Sequence, residues 1–352
     1  MRTTRAGSSL YSQSKPLLHP GRIEALREGN PLPPVHVQLI LSDLCNQDCS
    51  FCAYRMSAGL STEMFGTAET HNPNRRITFE KAHEIIEDCN AMGVKAIQFT
   101  GGGEPTVHQN WETLIRFAQA LFIDTALVTN GVNLRPKSPA IYGLSWLRVS
   151  IDAGDPVTYA KLRRAPESQW TTAWKNIETI ARVFAGTLGI GYVVTPENYT
   201  GIAACARLAR DAGADNIRIG AVFSKEGLAF YGDGVRAILD HIQLAKEIET
   251  PTFKVMDLFG RRFSDLEGGS PKHPFCGYQY FTTYIGADLN VYRCCNTSYT
   301  KHGLLGSLKT TRFRDLKPAW ALDARTCTFC QFQGQNETIN SALEKPEHGN
   351  FV

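Results

Sequence analysis

The sequence predicts an α/β protein: an open, partial (β/α)6 barrel of the TIM type with a small, loop-rich C-terminal extension. Three observations predict it. Strand and helix signals alternate six times between Val35 and about residue 223. The residues with most chemistry, Cys45, Gly101–Glu104, Asn130 and Asp152, each fall just after a strand, where parallel α/β folds bind their ligands. From about residue 252 the alternation stops, and aromatics and clustered cysteines take over.

In order, residues 1–34 end in PLPP, a stiff lead-in. VHVQLILS (35–42) reads as a buried strand, and TFEKAHEIIEDCNAMG (78–93) as a helix closed by Gly93. KAIQFT (95–100) is a second strand, followed by a helix around 111–122. TALVT (125–129) and LRVSI (147–151) are the third and fourth strands. A helix at about 170–185 leads to LGIGYVVT (188–195), and a helix at about 199–213 to NIRIGAVF (216–223). Six βα units in series imply parallel strands with right-handed crossovers, and they are too few to close an eight-stranded barrel. Residues 56–77 form a long polar insertion, either a lid or a surface loop. The expected organisation is a lead-in at 1–34, a barrel at 35–250, an extension at 251–335 and a tail at 336–352.

Composition narrows the classes. The chain has 352 residues, 43% of them hydrophobic, enough for a full core. A net charge of +3 is too mild to argue for nucleic-acid binding and does not exclude it. The N-terminus, MRTTRAGSSLYSQSKPLL, is polar and basic without an apolar core segment. No signal peptide or membrane span is expected, which points to the cytoplasm, where cysteines stay reduced. Ten cysteines then need a reason other than disulfides. Eight of them fall in two clusters, a pattern of metal or iron–sulfur ligation. The other two, Cys89 and Cys205, lie at apolar helix positions and read as core.

The first cluster is Cys45, Cys49 and Cys52, a C-x3-C-x2-C motif directly after strand one. Three thiolates can hold three irons of a cubane and leave the fourth open to a substrate or cofactor. A closed structural zinc site normally wants four ligands, usually from CxxC pairs.

This motif after the first strand of a βα series resembles the radical S-adenosylmethionine (SAM) superfamily, which has an aromatic before the third cysteine, here Phe51. The resemblance implies a 4Fe-4S cluster whose open iron is chelated by SAM. Reductive cleavage then gives a 5′-deoxyadenosyl radical that abstracts a substrate hydrogen. It also implies cofactor contacts. TGGGEP (100–105) is similar to the family's glycine-rich turn, with Gly102 and Gly103 allowing close approach and Glu104 pairing with the SAM ammonium. Asn130, in TNG, either places a side chain near SAM or belongs to a plain turn. Ser150 and Asp152, in SID, either bind the ribose hydroxyls or cap a helix. Arg163, in KLRR, either meets the SAM carboxylate or lies on a solvated basic face. Strand five, GIGYVVTPEN, either packs against adenine or is core.

The second cluster is Cys276, Cys294, Cys295, Cys327 and Cys330, four ligands and one spare. It resembles the auxiliary-cluster extension called twitch, a shorter relative of the SPASM domain. FTTYIGADLNVYRCC should form a hairpin turning near Gly286–Asp288. The resemblance implies one auxiliary 4Fe-4S cluster on Cys276, Cys294, Cys327 and Cys330. Cys295 is then either packing or a substrate-facing hydrogen-atom donor. Tetrathiolate zinc is the alternative for this set.

The resemblance therefore implies an oxidoreductase-type enzyme in which an auxiliary cluster takes up the second electron. A redox-neutral isomerase, epimerase or C–C bond-forming enzyme is the main rival, and a zinc-stabilised binding protein the alternative from another class. The implied partners are an electron donor such as flavodoxin or ferredoxin and a small-molecule, nucleotide or peptide substrate. Tyr54, Arg55, Arg218, Tyr278 and Tyr280 flank the motifs and are candidates to face it.

Overall fold

The computed structural model describes residues 8–54, 74–222, 226–267, 271, 273–317, 322–327 and 330–344. Arg55 and most of the 56–77 insertion lie outside them. After α1 (Pro20–Arg27) the chain enters the series β1 (His36–Ile40), α2 (Phe79–Ala91), β2 (Ala96–Thr100), α3 (Trp111–Ala120) and β3 (Asp124–Thr129). It continues through α4 (Pro139–Tyr142), β4 (Trp146–Ser150), α5 (Pro156–Arg163), α6 (Glu167–Ala181), β5 (Thr187–Val194) and α7 (Ile202–Asp211). β6 (Asn216–Ala221), α8 (Val235–Lys246), β7 (Lys254–Asp257) and α9 (Phe263–Leu266) complete it.

The α/β partial barrel is therefore present, and it runs one parallel strand further than the sequence suggested. β7 pairs in parallel with β6, Asn216 opposite Lys254. It is only four residues long and lies where loop signals dominate, which hid it. α5 was also missed. Asp155 caps it by accepting from the Thr158 N–H at 2.8 Å, Pro156 opens it, and Arg164 at φ 47° ends it.

Alternation along the strands sorts the two faces. On the outer face, Val37, Leu39, Ile97, Phe99, Leu147, Val149, Ile190, Ile217 and Ile219 are fully buried beneath helices. α2 meets them with Ala82, Ile85, Ile86 and Cys89. Its N-cap Thr78 accepts from the Lys81 N–H at 3.2 Å, and Gly93, at φ +73°, follows its end. Each fully buried Leu or Ile stabilises by roughly 1.5–3 kcal/mol. Cys89 and Cys205 are wholly buried in this layer, as expected of core thiols.

The C-terminal segment does not stand apart from the sheet. β8 (Thr282–Ile285), β9 (Asn290–Tyr292) and β10 (Leu304–Ser307) extend it in the order β10-β9-β8-β1-β2-β3-β4-β5-β6-β7. β8 runs parallel to β1, His36 opposite Thr282, and turns antiparallel into β9. The predicted turn falls at Gly286–Leu289, where Leu289 adopts φ 64° and donates its N–H to the Gly286 carbonyl at 3.0 Å. α10 (Gln333–Leu343) closes the described chain. Its Ile339 packs with Ile23 of α1 and with Phe281.

Candidate active site

Cys45, Cys49 and Cys52 follow β1, on the carboxyl side of the sheet, on a loop held from several directions. The N–H groups of Asp48 and Ser50 donate to the carbonyls of Arg163 and Leu162, at 3.0 and 2.8 Å. The last turn of α5 thus spends its unpaired carbonyls on the cysteine loop. Within the loop, the Cys52 N–H donates to the Cys49 carbonyl at 3.2 Å. None of these three cysteines is in a disulfide, and all three are half-buried. Burial pushes the Cys49 thiol up to about 12, with Arg163 pulling it down and Cys52 pushing it further up. Cys45 is raised by burial, then by Glu104 and the other two thiols. The three sulfurs therefore share one electrostatic neighbourhood with Glu104 on one side and Arg163 on the other.

The glycine-rich turn docks on the same loop. Gly103 N–H donates to the Ser42 carbonyl at 3.1 Å and Glu104 N–H to the Leu44 carbonyl at 2.9 Å. A Cβ on Gly103 would lie 2.2 Å from the Leu44 oxygen and 2.4 Å from the Asp43 oxygen. This glycine permits an approach of backbone to backbone, carrying Glu104 to the cysteines. Gly102 lies between it and Gly101, whose own Cβ would meet the Gly103 oxygen. Glu104 is 3% exposed. Its Oε1 accepts from the Thr106 N–H at 3.0 Å and from the Thr106 and Thr129 hydroxyls at 2.6 Å each. Its Oε2 accepts from the Asn130 N–H at 2.7 Å. One oxygen is saturated and the other retains acceptor capacity, which suits an ammonium partner. Asn130 also donates from Nδ2 to Asn46 Oδ1 at 2.6 Å, tying the end of β3 to the cysteine loop.

Asp152 and Arg163, both assigned to SAM by the resemblance, contact each other. They form a buried ion pair, and Asp152 Oδ1 also accepts from the Val193 N–H at 2.6 Å. Arg163 donates further to the Ile151 carbonyl at 3.2 Å and to Gln47 Oε1 at 2.6 Å. Burial acts to lower the Arg163 pKa, but Asp152 and Cys49 outweigh it and hold the guanidinium charged. Ser150 ends β4 opposite Gly191. Phe51 sits within the loop, half-buried.

The second set gathers beyond β9. Cys276 is raised to about 12 by burial, with Cys294, Cys330 and Cys327 each adding to the rise. Cys327 is raised to about 12 by burial, then by Cys294 and Cys330. These four thiols thus lie in one another's field, with the Arg293 guanidinium beside Cys276, Cys327 and Cys294. Asn336 Nδ2 donates to Cys330 Sγ at 3.7 Å, and His302 Nε2 lies 3.3 Å from Cys327 Sγ. Cys295 points elsewhere. It lines the barrel cavity, accepts from Gln331 Nε2 at 2.8 Å, and feels Arg262 and Arg218.

Both donor sets fit iron–sulfur groups: three thiols outside disulfides at one site, four at the other, each with a cationic side chain nearby. Among the described residues no three His, Cys, Asp or Glu side chains converge on a single-ion geometry. A cubane spreads its thiolates over separate irons, so this geometry is not what it requires.

A cavity of about 1260 Å³ fills the barrel interior. Tyr54, Arg218 and Tyr278 line it, as the sequence suggested, and Tyr280 does not. Sequence reasoning missed Arg148, Arg261 and Arg262 on its wall. For Arg148 the available signal was the alternation in WLRVS, which turns every second residue inward.

An α/β barrel with three thiols at the carboxyl end of its first strand defines a class of cluster-binding barrel proteins. Residues 39–209 match the family model described as the Radical SAM superfamily, and the chain carries a radical SAM domain there. Curated relatives include a GTP 3′,8-cyclase of Petrotoga mobilis, 28% identical over 163 residues, covering 45% of this chain and 46% of that one. An S-adenosylmethionine-dependent nucleotide dehydratase of Flammeovirga pacifica is 32% identical over 146 residues, covering 41% and 47%. The chain thus spans about half the length of these relatives. Among solved structures, Streptococcus suis SuiB bound to the precursor peptide SuiA aligns with a TM-score of 0.63 at 14% identity, covering 89% of this chain and 73% of that one. Native anSMEcpe with bound AdoMet aligns with a TM-score of 0.57 at 13% identity, covering 87% and 88%. These two show a shared fold that reaches past the radical SAM domain into the C-terminal extension. Among the described residues no helix is long and apolar enough to cross a membrane.

Proposed function

We propose that the chain is a radical SAM enzyme that oxidises its substrate, with two 4Fe-4S clusters. Cys45, Cys49 and Cys52 would hold the SAM-binding cluster, and Cys276, Cys294, Cys327 and Cys330 the auxiliary one. When bound, the first group with SAM supplies a hydrogen-abstracting 5′-deoxyadenosyl radical, and the second supplies an acceptor for the electron released on oxidation. The observation that carries this reading is the shared neighbourhood of Cys45, Cys49 and Cys52 with Glu104, on loops whose Ala53, Tyr54 and Gly101 line a large barrel cavity.

The protein's own residues orient and exclude. Glu104 is held by Thr106, Thr129 and Asn130, so the carboxylate oxygen left with acceptor capacity can take the SAM ammonium. Gly102 and Gly103 bring that carboxylate up to the cysteine loop. Arg163 and Asp152 fix the loop from behind through Gln47, and Ser150 stands at the end of β4 for the ribose. Metal ligation releases the protons that burial keeps on the thiols. An external one-electron donor of the flavodoxin or ferredoxin class is required, and a reducing compartment, the cytoplasm, suits free thiols.

A redox-neutral reaction on a nucleotide is the second reading, favoured by the names of the curated relatives, a GTP 3′,8-cyclase and a nucleotide dehydratase. Iron and acid-labile sulfide after anaerobic reconstitution test the assignment. Two cubanes give about eight irons per chain, and the Cys45/Cys49/Cys52→Ala triple variant about four. Zinc in place of iron, or four irons in both proteins, would overturn it. Substrate oxidation without return of the hydrogen from 5′-deoxyadenosine separates the first reading from the second.

A further inference from the structure

The barrel cavity is strongly cationic on one wall. Among the described residues, Lys15, Arg148, Arg218, Arg261 and Arg262 line it against a single carboxylate, Glu337. Arg148 and Arg218 project from β4 and β6 across β5. The register sets Arg148 opposite Gly189, and Gly191 opposite Arg218. The two glycines put no side chain of their own between the arginines, and the Asn216 amide lies against Gly189.

Neither arginine forms an ion pair with a carboxylate among the described residues. Arg148 lies over the Trp146 ring at 5.7 Å, and Arg218 over the Tyr11 ring at 5.6 Å. Arg218 Nε is buried without a hydrogen-bond partner. Burial, then the charges of Arg148 and Arg262, lower the Arg218 pKa to about 9. Beside it, Asn216 is 2% exposed and its Oδ1 also has no partner. Clustered half-buried cations and unmade hydrogen bonds at buried atoms are costly in a folded protein unless a ligand answers them.

We propose that Arg148 and Arg218, with Arg262 at the rim, form an anion site that holds the phosphate groups of a phosphorylated small-molecule substrate inside the barrel. The proposal rests on the reading of the chain as a radical SAM enzyme and names its substrate class. Phosphoryl oxygens accept from several guanidinium N–H groups at once and relieve the repulsion among them. Asn216 Oδ1 is positioned to accept from a hydroxyl of the same molecule. An acidic peptide is the competing occupant.

The test is equilibrium binding of inorganic pyrophosphate to the anaerobically reconstituted full chain with saturating SAM, at fixed ionic strength. Saturable binding is expected. Arg148→Gln and Arg218→Gln should each weaken it about tenfold or more, since hydrogen bonds to charged groups are the strong ones. Arg218→Lys should lose less, and Arg236→Gln, on the exposed face of α8, nothing. Melting temperatures report folding, and if one glutamine variant does not fold the other carries the test. Binding unaffected by both, an equal loss in Arg236→Gln, or tighter binding of an oligoglutamate peptide would overturn the site. Dithionite-driven formation of 5′-deoxyadenosine separates the two readings. Cleavage intact with no anion binding removes only the anion site, whereas anion binding without cleavage in the wild type removes only the radical SAM reading.

Discussion

Arg163 Nη1 donates to the side-chain carbonyl of Gln47 over 2.6 Å, so the end of α5 holds the cysteine loop directly. The same guanidinium neutralises Asp152, and both side chains are at most 4% exposed. Arg163→Ala leaves the Asp152 carboxylate buried and unpaired, which costs about 3–5 kcal/mol. Chemical denaturation should show that loss, and reconstituted iron should fall more at the first cluster than at the second.

Cys294 and Cys295 are adjacent in sequence and separate in surroundings. Cys294→Ala should lower reconstituted iron from about eight towards four per chain. Cys295→Ala should leave it near eight. An iron loss confined to Cys295→Ala would exchange their roles.

Gly103 has no room for a side chain, because its Cβ would meet the Asp43 and Leu44 carbonyls. Gly103→Ala must displace Glu104 or the cysteine loop. A loss of about 1–3 kcal/mol is expected from overpacking. SAM affinity, read by equilibrium dialysis, should fall with it.

Asp88 on α2 is fully buried and accepts from Arg312 Nη2 at 2.7 Å and from the Phe313 N–H at 3.0 Å. Asp88→Ala strands that buried N–H and should cost about 1–3 kcal/mol. Proteolysis near Arg312 should accelerate in the variant if this contact docks the segment.

His36 faces the cavity from β1, and burial, then Lys15, lowers its pKa to about 4. Unfolding restores the ordinary value near 6.5, so between pH 6.5 and 4 the unfolded chain binds more protons. Stability from this group is full above pH 6.5 and is lost as pH falls to about 4, by about 1–3 kcal/mol. His36→Gln should flatten that part of the stability profile relative to the wild type.

Much of this architecture was legible because it is local. Strands one to six follow from apolar runs between turn signals, and the two cysteine sets follow from spacing. The hairpin before Cys294 was readable from its glycine turn. What escaped depends on distant partners. Asp152 and Arg163 each matched a family position, yet their mutual pairing is a matter of tertiary geometry. β7 was too short to stand out. Arg148 read as an ordinary polar position until the register set it across the glycines of β5 from Arg218. The different surroundings of Cys294 and Cys295 depend on the direction in which each side chain leaves the backbone.

The parallel pairing of β8 with β1 has a consequence for biosynthesis. His36 leaves the ribosome long before Thr282, its partner across that ladder. Until then β1 presents an open strand edge, the kind of surface that recruits neighbouring chains. The final quarter of the chain thus completes the first strand's pairing during translation. A ribosome stalled before Thr282 would display a nearly complete barrel with its oldest edge uncovered, a natural target for chaperones.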